Sequence, residues 1–178
     1  MALTATIYQA HIALADSDNE KYLDKRLTLA KHPSETHQRL VARLLAWCLF
    51  AKPEMQFGRG ISTREDADIW ERDLHDNILH WIEVGEPDPD RLRKAGLHAA
   101  RVSVYPYSRQ WLQWWQRNAK VLRQMPKLEV RVLPWEAVDQ LAEDLPRTFE
   151  WQITISEGEV FVTDHRGELV SLTPHAPE

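Results

Sequence analysis

Three side chains between residues 66 and 105 have types and spacing suited to chemistry: Asp68, Glu83 and Lys94. Glu83 stands inside the apolar run Trp81-Ile82-Glu83-Val84, and a carboxylate in such a run needs a cation, a metal or a hydrogen-bond donor. Asp68 opens one arm of a predicted hairpin and Glu83 lies near the end of the other, so antiparallel pairing makes them neighbours at one end of a sheet. Two acids so placed repel unless a proton or cation sits between them. An oxygen-rich site of that kind suits Mg²⁺ or Mn²⁺, with Glu35 as a further oxygen donor if its helix points toward the sheet. Lys94 follows on the next helix, where a long stem can return its ammonium to orient a water or to stabilise developing negative charge. Structural alternatives stay open at every position. Glu83 can be an acid paired with Lys94 or an arginine, Asp68 an exposed hairpin residue, and Lys94 an i,i+4 partner of Asp90.

The elements that must position these residues follow from pattern and punctuation. Residues 3–14 and 20–31 read as two strands joined at Asp16-Ser17-Asp18-Asn19, a ribbon whose apolar face needs another sheet to cover it. A core helix runs from Ser34, as N-cap, to about residue 51, with Glu35 in its first turn. A short strand at 55–61 precedes the hairpin arms at 67–72 and 77–84, and Asp88-Pro89 then caps and opens a helix lasting to about Ala99. Residues 101–107 form a strand that the intervening helix makes parallel to its predecessor. A Trp-rich helix at 108–124, a strand at 127–133 and a helix at 134–144 follow. The chain ends on strands at about 148–156, 159–164 and 168–173. The expected fold is α/β: a mixed central sheet flanked by helices over about 33–145, plus a β lobe built from 2–31 and 148–173, in a single domain of 178 residues.

Composition narrows the class. Charged residues make up 28% and hydrophobic ones 43%, ordinary values for a packed protein. Cys48 is the sole cysteine, which excludes a disulfide framework or a thiol zinc site and points to a reducing cytoplasm. No leader-like N-terminus and no apolar run long enough for a membrane span are seen. The overall charge of −5 hides an asymmetry: residues 91–131 hold ten lysines and arginines against Glu129 alone, a net +9, so the remainder stands at −14. If that segment presents one face, it suits an anionic partner such as nucleic acid, with Arg91, Arg109, Arg117 and Lys120 as candidate phosphate contacts. If helices and strands turn the charges apart, there is no patch. Trp111, Trp114 and Trp115 admit two readings as well, a base-stacking platform or a core stripe. The eight histidines lack ligand spacing, Gly58-Arg59-Gly60 lacks the rest of a phosphate loop, and no GxSxG exists.

Several segments, in order, carry a resemblance: PSET at 33–36, LLAW at 44–47, FGRG at 57–60, DIW at 68–70, WIEVG at 81–85 and PDPDRLRKA at 87–95. Together, over about residues 1–160, they look like the YaeQ family of bacterial proteins. The order of Asp68, Glu83 and Lys94 around a hairpin between helices resembles the wider PD-(D/E)XK nuclease superfamily. The resemblance implies a nuclease-like, restriction-endonuclease-like core. The chain departs from the superfamily at Gly85, where the lysine normally stands, and at Ala67, where a proline does. Any catalytic lysine must therefore have moved to Lys94.

Two functions follow as expectations. The first is a Mg²⁺- or Mn²⁺-dependent phosphodiesterase on nucleic acid, with Asp68 and Glu83 holding the metal and Lys94 orienting the nucleophile. The second is a catalytically silent nuclease-fold module that binds nucleic acid or a protein partner in a transcription or repair setting, with no membrane role. A purely structural domain would bind neither.

Overall fold

The computed structural model describes residues 4–60 and 63–178. Leu3, where the first strand was expected to begin, and Ile61, at the expected end of the third, lie outside the described residues. The described residues form a mixed α/β fold with two five-stranded sheets and four helices. The chain divides into two compact units, with the boundary inside the first helix between Val41 and Ala42.

The first unit takes the chain up to Val41 together with Pro134–Pro174. Its sheet has the order β10-β9-β8-β1-β2, from β1 (Thr6–Asp16), β2 (Lys21–Lys31), β8 (Thr148–Ser156), β9 (Glu159–Thr163) and β10 (Leu169–Leu172). Strict alternation buries Ala10, Ile12 and Leu14 of β1 and Phe149, Trp151, Ile153 and Ile155 of β8 on one face. The N-terminal ribbon and the C-terminal strands were expected to pack together as one β lobe, with another sheet over the ribbon's apolar face. Instead β1 and β8 pair edge to edge in parallel, Ile12 opposite Trp151. The reason is that both edges carry unpaired backbone groups as well as apolar faces, and one hydrogen-bonded sheet satisfies both. Helix α4 (Trp135–Ala142), with Val138 and Leu141 buried, packs beside β10.

The second unit is Ala42–Leu133 with the last four residues, His175–Glu178. Its sheet runs β3-β4-β5-β6-β7, from β3 (Met55–Phe57), β4 (Ile69–Arg72), β5 (Ile78–Val84), β6 (Ala99–Tyr105) and β7 (Leu128–Val130). The hairpin β4–β5 is antiparallel, and β5–β6 is parallel, as the intervening helix α2 (Pro89–His98) requires. Alternation along β5 sends Trp81 and Glu83 to one face and His80, Ile82 and Val84 to the other. On the Trp81 face, α2 and α3 (Trp111–Leu122) close a core of Trp81, Leu92, Ala95, Val102, Val104 and Trp115. On the other face Phe50, just past α1 (His37–Leu49), meets His80 edge-on at 4.6 Å between ring centroids. Helix α1 starts two residues later than expected. Its cap is Thr36, whose hydroxyl accepts from the Arg39 N–H at 3.1 Å, while Ser34 is engaged with the His32 ring.

Candidate active site

The site grows from the start of the hairpin. The register pairs Ile69 with Ile82 and Trp70 with Trp81, so one further step sets Asp68 against Glu83. Both side chains are buried. Asp68 Oδ2 accepts from the Val84 N–H at 2.8 Å, which continues the ladder through a side chain. Glu83 Oε1 accepts from the Trp81 indole N–H at 2.7 Å and from Arg91 Nε at 2.9 Å, and the Arg91 guanidinium pairs with it at 2.7 Å through Nη2. Burial and the Asp68 charge push the Glu83 carboxyl up to about 7, against the pull of Arg91 and the Trp81 N–H. The ion pair alone argues for a carboxylate, but removal from water outweighs it.

Arg91 does more than neutralise Glu83. Its Nη2 also donates to the Asp66 carbonyl at 2.7 Å and its Nη1 to the Arg64 carbonyl, so one guanidinium ties the loop before β4 to the centre of the sheet. That loop is built around Gly58 and Asp66. The Gly58 N–H donates to the Asp68 carbonyl at 3.0 Å, and a Cβ on Gly58 would lie 1.9 Å from the Ala67 carbonyl oxygen. Asp66, buried, takes Arg59 in a fork at 2.8 and 2.9 Å, and this pairing holds its carboxyl below the usual range. The FGRG segment is thus a loop closure. The Arg59–Asp66 pair was missed in the sequence, where the seven-residue separation gave no helical or strand register to join them.

A cleft of about 1100 Å³ opens over this centre, lined by Arg59, residues 64–66, the hairpin and α2. Trp70 and Trp81 form its floor, in T-shaped contact at 5.8 Å. Arg59, Arg72 and Arg91 line it but are engaged by Asp66, Asp76 and Glu83. Arg64 and Lys94, both exposed, line it without an ion pair to a described residue.

The sequence candidates distribute as follows. Asp68 and Glu83 come together. Lys94 lies on the cleft wall, and the cation on Glu83 is Arg91, three residues earlier and on the same helix face. Glu35 belongs to the other unit, where it bonds the His32 N–H at 3.3 Å and pairs with Arg39 at 3.0 Å. Arg109, Arg117 and Lys120 are exposed, at and along α3. The remaining cations of 91–131 are turned apart: Arg101 and Arg131 share Glu129, and Lys127 caps the Gly96 and Ala99 carbonyls. Trp115 is core, with its indole N–H on the Glu178 carbonyl at 3.0 Å, and Trp114 donates to Pro87 O at 2.8 Å. The tryptophan stripe is therefore a packing stripe.

A divalent ion held by Asp68 and Glu83 is what the paired acids imply, and the donor set does not fit it as arranged. The guanidinium of Arg91 already occupies Oε1 of Glu83, and among the described residues no group of three acidic, histidine or cysteine side chains gathers. Gly85, two residues after Glu83, has φ +99°, a backbone state that a lysine enters only with strain.

The relatives agree on one family. The model of the YaeQ family, described as YaeQ protein, matches residues 1–172. This chain belongs to the YaeQ family. It is 41% identical over 175 residues to the YaeQ protein of Escherichia coli (strain K12), covering 97% of each. It is 41% identical over 170 residues to that of Salmonella typhi, covering 95% of this chain and 94% of the other. The crystal structure of the YaeQ protein from Xanthomonas axonopodis pv. citri superposes with a TM-score of 0.93 at 35% identity, covering 98% of this chain and 99% of that one. The structure from Pseudomonas syringae also gives 0.93 at 35% identity, with 98% and 96% covered. Among the described residues, no helix is long and apolar enough to cross a membrane.

Proposed function

We propose that this YaeQ-family chain is a nuclease-like protein that binds nucleic acid in the cleft between the β4–β5 hairpin and α2 without cutting it. The observation that carries this reading is the Arg91–Glu83 ion pair. It places a fixed positive charge on the carboxylate that metal-dependent cleavage would need free. Arg64 and Lys94, both exposed in the cleft lining, are available for phosphate oxygens. Fluorescence anisotropy with labelled single-stranded DNA, RNA and duplex, without divalent metal, tests it. Replacing Arg64 and Lys94 together by alanine is expected to weaken binding about tenfold and to flatten the salt dependence by one to two charges, at about 0.7–0.9 log units per phosphate contact. Equal affinity of wild type and double variant removes the cleft from binding.

One observation favours a second reading, a Mg²⁺- or Mn²⁺-dependent phosphodiesterase of PD-(D/E)XK type. Asp68 and Glu83 are neighbours close enough for one charge to raise the other's pKa. That reading requires Arg91 to leave Oε1. Cleavage of DNA or RNA with Mn²⁺ that disappears in Glu83→Gln establishes it in place of the binding reading.

A further inference from the structure

The flank of α2 opposite the cleft borders a separate groove. It has a volume of about 350 Å³ and lies between the C-terminal halves of α2 and α3 and the start of β7. Its lining is mostly carbon: Leu92, Leu97, Val102, Val121, Met125 and Leu128. Leu97 is 77% exposed and Val121 38%, so the apolar surface continues over the rim. The charged side chains in its lining, Arg93 and Lys127, are both basic. Between 117 and 128 the chain carries Arg117, Lys120, Arg123 and Lys127 and no acid. Each apolar rim residue has an arginine one turn before it on its own helix, Arg93 before Leu97 and Arg117 before Val121. Arg93 shares its charge with Asp90, but Arg117 and Lys120 form no ion pair with a described residue. The volume sits at the low end for sites that seat a small ligand, room for a few aliphatic side chains.

We propose that this groove docks an acidic amphipathic helical segment of a partner protein. Its apolar side chains seat between Gly96 and Leu128, and its carboxylates meet Arg93, Arg117 and Lys120. A phosphate backbone would match the cations but leave the apolar lining uncovered, whereas a helix with leucines on one face and acids beside them covers both. The site shares no lining residue with the Glu83 cleft and does not depend on what binds there.

The test is amide-resolved NMR on the isotopically labelled full chain. The probe is a synthetic helical peptide of about 18 residues, long enough to hold a helix, with leucine at i, i+3, i+4 and i+7 and glutamate elsewhere. Saturable shifts are expected at Gly96, Leu97, Val121 and Gln124. Val121→Glu, which sets a like charge against the peptide, and Gly96→Leu are each expected to weaken binding at least about tenfold. Gly96→Leu sends its side chain into the groove from a Cβ position that meets nothing within 4 Å. It should also keep or raise Tm, since it removes a glycine from a helix, so lost binding is not lost folding. The proposal is overturned by an absence of saturable shifts at those four amides. It is equally overturned if a peptide with lysine for glutamate binds as well, or if an oligonucleotide and not the acidic peptide shifts those amides.

Discussion

Arg91 and Glu83 meet at 2.7 Å across the turn from β5 into α2, with the carboxylate almost wholly buried and the guanidinium reaching it from the cleft side. An ion pair of this kind is costly to assemble and more costly to break, because removing one partner leaves the other's charge without compensation. At pH 8, where Glu83 is ionised, Arg91→Ala should therefore destabilise the fold by about 3–5 kcal/mol, and the loss should shrink by more than half when Glu83→Gln is made with it. Chemical denaturation of the four proteins of this cycle measures it. Additive losses in the double variant would mean that the two residues act separately.

The acid balance of the second unit gives a pH prediction. The Glu83 carboxyl is raised to about 7 from an ordinary 4.5, so its share of stability is full below 4.5 and is lost as pH rises through 7. His80 is pulled down to about 4 from 6.5, chiefly by burial and next by Arg101 and Lys52, so its share is present above 6.5 and is lost as pH falls toward 4. The two slopes oppose each other between these limits, each worth about 3 kcal/mol from end to end at 1.36 kcal/mol per pKa unit. The lowered carboxyls of Asp66, Asp73 and Glu129, and of Asp164 in the first unit, act at lower pH. Glu83→Gln should thus gain on wild type as pH is raised from 5 to 8, and should expose the His80 loss below 6.5 as a single downward slope. A pH-independent difference between the two proteins rules out the buried-acid assignment.

Trp81 isolates one of the donors to Glu83. Trp81→Phe keeps most of the ring against Val102 and Trp70 but deletes the indole N–H that Oε1 accepts at 2.7 Å. A hydrogen bond to a carboxylate contributes about 1.5–3 kcal/mol, so the variant should be destabilised by about that amount at pH 8. The loss should be smaller at pH 5, where the carboxyl is protonated and demands less. An equal loss at both pH values would assign it to packing alone.

The strands and helices were legible because their signals are local. Alternation in β1 and β8, Asp88-Pro89 before α2 and the tryptophan spacing of α3 each mark one element without help from the rest. The pairing of Asp68 with Glu83 was legible too, since a short hairpin leaves little freedom of register. The cation on Glu83 was not. Arg91 and Lys94 share a face at i,i+3, and nothing in the spacing says which stem turns inward. The guanidinium does so here, because its planar fork can serve Glu83 and two loop carbonyls at once, which a single ammonium cannot match in that geometry. The 55–61 strand was read too long for a similar reason. Past Phe57 the backbone turns to set Gly58 against Ala67, a contact made across the loop and invisible to periodicity.

That contact supports the last prediction. Gly58 packs its bare Cα onto the Ala67 carbonyl while its N–H bonds the Asp68 carbonyl, so the two backbones touch where the site begins. Gly58→Ala would force an oxygen and a methyl to 1.9 Å, and the loop must retreat. Retreat costs the Gly58–Asp68 hydrogen bond and draws Asp66 and its carbonyl away from Arg59 and Arg91. The expected loss is more than about 3 kcal/mol, at the upper end for a single substitution. The matching change Gly96→Ala, in open space on α2, should be neutral or should stabilise by up to about 1 kcal/mol. Thermal unfolding of both variants decides the matter. If Gly58→Ala melts with wild type, the loop closes by some other means, and Arg91 is not held to Glu83 by the backbone that Gly58 brings near.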